Sequence, residues 1–228
     1  MHLPDGMLSG GLSIAGYLGT VGVHLFTYIA YVLKGCKKFM NIDIIPKISL
    51  VSAALLVASL IYVPVGPTTV HFSFVGVAGI LLGPYSVISF TVVLFFQVIL
   101  FYHGGFTSLG VNIFNFSVAA LAGYYIFAFM RTKFPLANKI PLLNRFKSHY
   151  KILCFAFLAG LLSKLILVIL GSSALLTIGF PLAVPGSVIA FHLPIILAEG
   201  VLTAVLALGI LKLKRGIIYN ESSFYDFV

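Results

Sequence analysis

The chain has 228 residues; 61% are hydrophobic, 8% are charged, and the formal net charge is +9. So apolar a composition excludes a soluble domain and fits a polytopic helical membrane protein, whose spans need about 20 apolar residues each. The basic residues gather in loops between apolar stretches, which excludes nucleic acid as their partner and marks a cytoplasmic side instead.

The opening, Met1-His2-Leu3-Pro4-Asp5-Gly6, carries the most distinctive chemistry. A free amine followed by histidine offers three nitrogens: the α-amine of Met1, the backbone nitrogen of His2 and its imidazole. Chelate rings through these atoms favour a planar nitrogen set, the geometry that suits Ni(II) or Cu(II). No basic residue precedes the first apolar stretch, so no removable signal peptide is expected and Met1 is the expected start. A fourth donor must come from elsewhere.

The first span covers Gly10–Leu33, and its small residues Ala15, Gly16, Gly19 and Gly22 let another helix approach closely. His24, mid-span, reads as a histidine bonded to a neighbouring helix rather than as a ligand. A second span over 48–62 ends at Pro64-Val65-Gly66-Pro67. The next apolar run, 68–102, is too long for one crossing: about 50 Å of helix against a hydrocarbon core of about 30 Å. Gly83-Pro84 splits it into two helices, 70–82 and 84–102, the first of them short. His103-Gly104-Gly105 makes a loop before span five, 109–130; spans six and seven cover 152–170 and 187–211. The expected fold is all-α, with one transmembrane domain over 1–211, seven crossings and a short cytoplasmic tail over 212–228.

Lys34, Lys37, Lys38 and Lys47 form one basic group. Arg131, Lys133, Lys139, Arg145, Lys147 and Lys151 form a second, and Lys212, Lys214 and Arg215 a third; only Lys164 lies elsewhere. Seven crossings with all three groups inside place the N-terminus outside and the C-terminus in the cytoplasm of a multi-pass plasma-membrane protein. Cys36 and Cys154 then lie on or near the reducing side, which disfavours a disulfide, and they show no metal-ligand spacing.

That orientation gathers His2, His71, His103, Asn112, Asn115 and His192 on the outer face. Polar groups inside a membrane protein are costly and usually line a site or a pathway. His71, after the Pro/Gly turn, is the best candidate for the fourth nitrogen; a histidine bonded to loop backbone is the equal alternative. Asp5 before Gly6 suits a turn or helix cap, a role favoured over orienting a ligating histidine. Glu199 needs a partner at its depth, and Lys164 is a plausible one; a structural ion pair is favoured over a proton or metal relay. Thr69, His103, Asn112, Asn115 and His192 are candidates to line the site or its approach rather than to touch the ion. No catalytic motif and no phosphate-binding glycine loop occurs, so the chain is read as a non-enzyme that cannot use ATP alone. An intramembrane metalloenzyme built on the same histidines is the alternative, opposed by a filled nitrogen square that leaves the metal no open position. A vitamin-binding or purely structural subunit is a third.

Four stretches resemble the CbiM/NikM family, the substrate-binding membrane subunits of cobalt/nickel energy-coupling-factor transporters. They are Met1 to Gly6; Pro64 to Pro84 with His71 and Gly79-Ile80-Leu81-Leu82-Gly83-Pro84; Gly104 to Asn115; and His192 through Glu199-Gly200-Val201-Leu202-Thr203. The resemblance implies a seven-helix subunit in which the Met1 amine, the His2 backbone nitrogen and imidazole, and His71 hold Ni2+ or Co2+ in a square plane, with no organic cofactor. It also implies a transmembrane coupling subunit, two cytoplasmic ATPases and a small accessory membrane protein as partners, with span one as a docking surface for the coupling subunit. Two details depart from or shade the pattern: Gly66-Pro67 stands where relatives often have Gly-Gly, and Pro4-Asp5-Gly6 is closer to nickel-type openings.

Overall fold

The computed structural model describes residues 2–33, 44–65, 68–137 and 148–213. In chain order these form α1 (Gly10–Leu33), α2 (Ile45–Ala58), strands β1 (Tyr62–Val65) and β2 (Thr68–His71), α3 (Val75–Leu82), a 3-10 turn (Gly83–Tyr85) and α4 (Ser86–Phe101). They continue with α5 (Phe106–Ala137), α6 (Ser148–Ile178) and α7 (Ala183–Leu213). Among the described residues five stretches are long and apolar enough to cross a membrane: Gly10–Tyr31, Val75–Phe101, Phe106–Arg131, Tyr150–Ile178 and Ala183–Ile210; α2 is a shorter apolar helix. Large apolar side chains such as Leu18, Leu50 and Val57 face outwards, as lipid-facing residues do. Most of the basic loops, the Gly66-Pro67 turn and the tail beyond residue 213 lie outside the described residues.

The stretch Val75–Phe101 is not one straight rod. Gly83 leaves the helix with φ 56 and ψ −131, and Pro84 cannot donate the backbone bond that would continue it. A straight helix of that length would hold its ends about 40 Å apart. Instead the chain folds back: Thr69, just before α3, stands 3.4 Å from His103, just after α4. The start of α3 (Val75, Ala78) shares a core with the far end of α4 (Val93, Leu94, Val98). The break at Leu82 and Tyr85 packs instead with Tyr31, Tyr124 and Phe127. The predicted split at Gly83-Pro84 is therefore present.

One expectation is corrected. The helix expected over 70–82 starts only at Val75, and its first residues form the antiparallel hairpin β1–β2, with Tyr62 opposite His71 and Val63 opposite Val70. Thr68, Thr69 and Val70 are β-branched, and Pro64 and Pro67 withhold backbone donors a helix would need. His71 thus stands at the end of a strand and not at the top of a helix.

Packing sorts the bundle into two ends. The last turns of α1, α5 and α7 meet the first turns of α2 and α6 in one core that includes Tyr31, Ile48, Phe127, Ala156 and Ala207. Lys47, Arg131 and Lys151 flank that end. At the other end Leu3 and Leu8 pack with Leu175 near the end of α6 and Val188 near the start of α7. Small residues allow the close crossings: a Cβ on Gly16 of α1 would lie 2.6 Å from the backbone nitrogen of Val111 in α5, and one on Gly76 of α3 2.5 Å from the Cα of Gly160 in α6. Gly16 and Gly19 therefore face α5, so this part of the small-residue face is already occupied within the chain rather than open to a partner. Gly22 has nothing within 4 Å. His24 is bonded as expected: its Nδ1–H donates to Thr20 at 2.8 Å, and its Nε2 lies 3.0 Å from Thr91 Oγ1 of α4.

Candidate metal centre

The opening segment folds back into the bundle and is held by α5. Leu3 N–H donates to Asn112 Oδ1 at 3.0 Å, and the Leu3 carbonyl accepts from Asn112 Nδ2 at 3.2 Å and from Ser108 Oγ at 2.6 Å. Asn112 thus pairs with a peptide group as one amide with another, which sets the depth of the neighbouring His2. Two residues on, Asp5 Oδ1 accepts the Thr107 N–H at 3.0 Å and the Thr107 hydroxyl, while Gly6 N–H donates to Thr107 Oγ1 at 3.0 Å. Asp5 therefore caps α5 from a distant part of the chain, satisfying a free N–H of its first turn. These bonds hold its carboxyl below the usual carboxylate range. The approach is close enough to require glycine: a Cβ on Gly105 would lie 2.1 Å from that of Asp5.

So fixed, His2 is buried beside buried His71, their rings parallel within 2° and their centroids 4.7 Å apart. Phe116 of α5 lies beside the His2 ring at 5.1 Å. His71 Nδ1–H donates to the Phe72 carbonyl at 2.9 Å, so in the neutral ring Nε2 is the nitrogen that carries the lone pair. Half-buried His103 completes a trio whose ligand atoms all lie within 4.8 Å of one another. Nitrogens bound to one ion at about 2.0–2.1 Å sit at most about 4.2 Å apart, so sharing an ion requires the trio to close and the stacked His2 and His71 rings to turn towards it. Burial pushes His2 and His71 well below the ordinary imidazole range and His103 down to about 4, so all three are neutral donors at neutral pH. Among the described residues no carboxylate or thiolate joins this group; a set of nitrogen donors suits a borderline transition metal better than Mg2+ or Ca2+.

Behind His71 lies the expected ion pair. Lys164 Nζ is 2.8 Å from Glu199 Oε1, both fully buried. Lys164 also donates to the His71 carbonyl and to Ser73 Oγ, each at 2.9 Å. Glu199 accepts the Ser73 N–H at 2.6 Å and its hydroxyl at 2.9 Å. The three ammonium protons are thus all placed, and α6 and α7 grip the backbone on both sides of Phe72. The expected pair is present, and the backbone it bonds carries His71.

The other candidates fall out differently. Thr69 Oγ1 lies 3.4 Å from His103 Nε2. Asn112 bonds the Leu3 backbone beside His2, and Asn115 is buried further along α5. His192 is fully buried one turn below Val188, to whose carbonyl its Nδ1–H donates at 2.7 Å; it is not part of the trio. Met1 lies outside the described residues. Ser73, Ser108 and Phe116 were not singled out from the sequence. Ser108 and Asn112 share the polar first turns of α5, the one signal that could have paired them.

Fold and site together define the class: a multi-pass helical membrane protein with a buried imidazole cluster at the end of the bundle opposite its basic flanks. The model of the family described as "Cobalt uptake substrate-specific transmembrane region", CbiM, matches residues 2–217, and the chain belongs to that family. It is 37% identical over 130 residues to a putative fused nickel transport protein, NikMN, of Archaeoglobus fulgidus, covering 56% of this chain and 41% of that one. It is 28% identical over 224 residues to a cobalt transport protein, CbiM, of Sorangium cellulosum, covering 94% and 92%. The match spans only 41% of the length of the Archaeoglobus protein and 57% of that of a putative metal transport protein of Haemophilus influenzae. A solved transition metal transporter, crystallised in truncated form, shares the fold with a TM-score of 0.67 at 24% identity, over 93% of this chain and 97% of that one.

Proposed function

We propose that the chain is the metal-capturing membrane subunit of an ATP-driven, energy-coupling-factor importer of Ni2+ or Co2+. The ion is taken from the extracytoplasmic side by the Met1 amine, the backbone nitrogen and imidazole of His2, and His71 Nε2. The observation that carries this reading is the docking of the opening segment, which buries His2 against His71 at 4.7 Å instead of leaving it in solvent. Relatives named for nickel and cobalt transport support the choice of cargo.

In this reading α1 to α7 make seven crossings within one transmembrane domain over 1–211, with the N-terminus outside and the tail over 212–228 in the cytoplasm. A coupling subunit, two ATPases and a small accessory membrane protein reorient the loaded subunit and supply the energy; membrane lipid covers the rest. His192 and Asn115 border the approach. The test is direct titration of Ni2+ and Co2+ into purified protein carrying only a C-terminal tag. Replacing His2 or His71 with alanine, or adding residues before Met1, is expected to abolish binding. Undiminished stoichiometric binding by the N-terminally extended form refutes the site.

A further inference from the structure

We propose that His103 is itself a ligand of the cargo ion, a third imidazole beside His2 and His71, and that it weights the site towards Co2+ over Ni2+. This rests on the cluster being the cargo site. The ligand atoms of all three rings lie within 4.8 Å of one another, so His103 stands within reach of an ion held by the other two. Its placement is built rather than incidental. Tyr102 and Gly104, on either side, both have left-handed backbones, at φ 52 and φ 87, and the His103 N–H closes the turn on the Gln97 carbonyl at 3.1 Å. A left-handed tyrosine is an uncommon conformation, and such residues persist where the surroundings impose them.

The pieces that aim His103 are also those that aim its partners. A Cβ on Gly104 would lie 3.4 Å from Asn112 Nδ2, the amide that holds Leu3 beside His2. On the other side Thr69 Oγ1 is 3.4 Å from its Nε2 and the Tyr62 ring lies 4.5 Å away, both from the hairpin that carries His71. Edge-on aromatic packing alone would account for a ring at 4.5 Å from His2. It does not account for three rings that each bring a donor atom within 4.8 Å of the other two.

The donor count sets the consequence. The four nitrogens of the proposed set already fill a plane, so a third imidazole, set across the stacked rings of His2 and His71 at 85° and 83°, adds to that set instead of completing it. Four nitrogens in a plane suit Ni2+. Co2+ accepts a fifth donor out of that plane more readily, so His103 favours Co2+ binding more than Ni2+ binding.

The experiment uses the full chain with its native start, loaded separately with Co2+ and Ni2+. X-ray absorption counts coordinated imidazoles in the wild type and in His103→Ala, and competitive titration gives the affinity ratio. The Co2+ form is expected to show three imidazoles and to lose one in the variant, with Co2+ affinity falling about tenfold further than Ni2+ affinity. Two imidazoles in Co2+-loaded wild-type protein, a count that needs no variant to fold, overturns the ligand assignment. Equal losses for both ions overturn the selectivity. His71→Ala run alongside separates the two levels. If it still binds, the cluster is not the cargo site; if it fails to bind while His103→Ala keeps an unchanged spectrum, only the role of His103 falls.

Discussion

Replacing Asn112 with leucine keeps the volume of a buried side chain but removes the amide that pairs with the Leu3 peptide. Two bonds go, the Leu3 N–H to Oδ1 at 3.0 Å and Nδ2 to the Leu3 carbonyl at 3.2 Å. The carbonyl keeps Ser108 at 2.6 Å, so the cost is dominated by one buried N–H left without an acceptor. That is about 1–3 kcal/mol. At about 1.4 kcal/mol per tenfold, the docked opening segment becomes about 5- to 100-fold less favoured. An ion that binds only the docked segment loses affinity in proportion once the undocked form dominates. Melting of the helical bundle should move little, because apart from its 3.4 Å contact with Ser108 the side chain bonds only to the opening segment. Isothermal titration with Ni2+, thermal melting in detergent and hydrogen exchange over the first six residues are the assays. Ser108→Ala, which leaves the Asn112 bonds in place, should cost less. Unchanged affinity in Asn112→Leu together with unchanged exchange protection would refute the clamp.

Breaking the buried pair by Glu199→Gln or Lys164→Met strands one charge and should destabilise the protein by about 3–5 kcal/mol, while the double substitution recovers most of that stability; melting temperatures of the three variants decide. Metal affinity in the stable double variant should still be reduced, because the bond that Lys164 makes to the His71 carbonyl is gone. Gly16→Val drives a side chain into the backbone of Val111 and should part α1 from α5, whereas Gly22→Ala meets nothing within 4 Å and should be neutral or stabilising by up to about 1 kcal/mol. Equal melting temperatures for those two variants would contradict the crossing. Docking should also depend on pH. His2 is held neutral by burial, its folded value well below 6.5, so a released segment takes up a proton that the docked one does not. Docking is therefore fully supported above about pH 6.5 and weakens as pH falls below it, by up to about 1.4 kcal/mol per unit for this ring until its folded value is reached. Exchange at Leu3, corrected for its intrinsic pH dependence, should report this; a flat profile between pH 7 and 5 would argue against a buried neutral His2.

Much of the architecture was legible locally. Hydropathy and length placed the helices to within a few residues at most ends, and Gly83-Pro84 marked the reversal because glycine and proline act on their own backbone. Lys164 and Glu199 could be paired because a charge at that depth in a membrane has few alternatives. The strand at Thr68–His71 was missed because its apolar residues merged with those of α3, and periodicity cannot separate a four-residue strand from the first turn of a helix.

Composition and local pattern by themselves determined that the chain is a membrane protein, where its helices run and that His2 and His71 were worth joining. The tertiary structure alone decided that His103 comes within reach of both, that Asn112 bonds the peptide group of Leu3, and that Gly16 and Gly19 are spent on α5. Each of those depends on segments far apart in sequence meeting at one depth: residue 3 with residue 112, residue 16 with residue 111, residues 2 and 71 with residue 103. Such meetings follow from how the helices reverse and cross. Crossing is governed by shape complementarity between distant surfaces, which no local pattern of residues encodes.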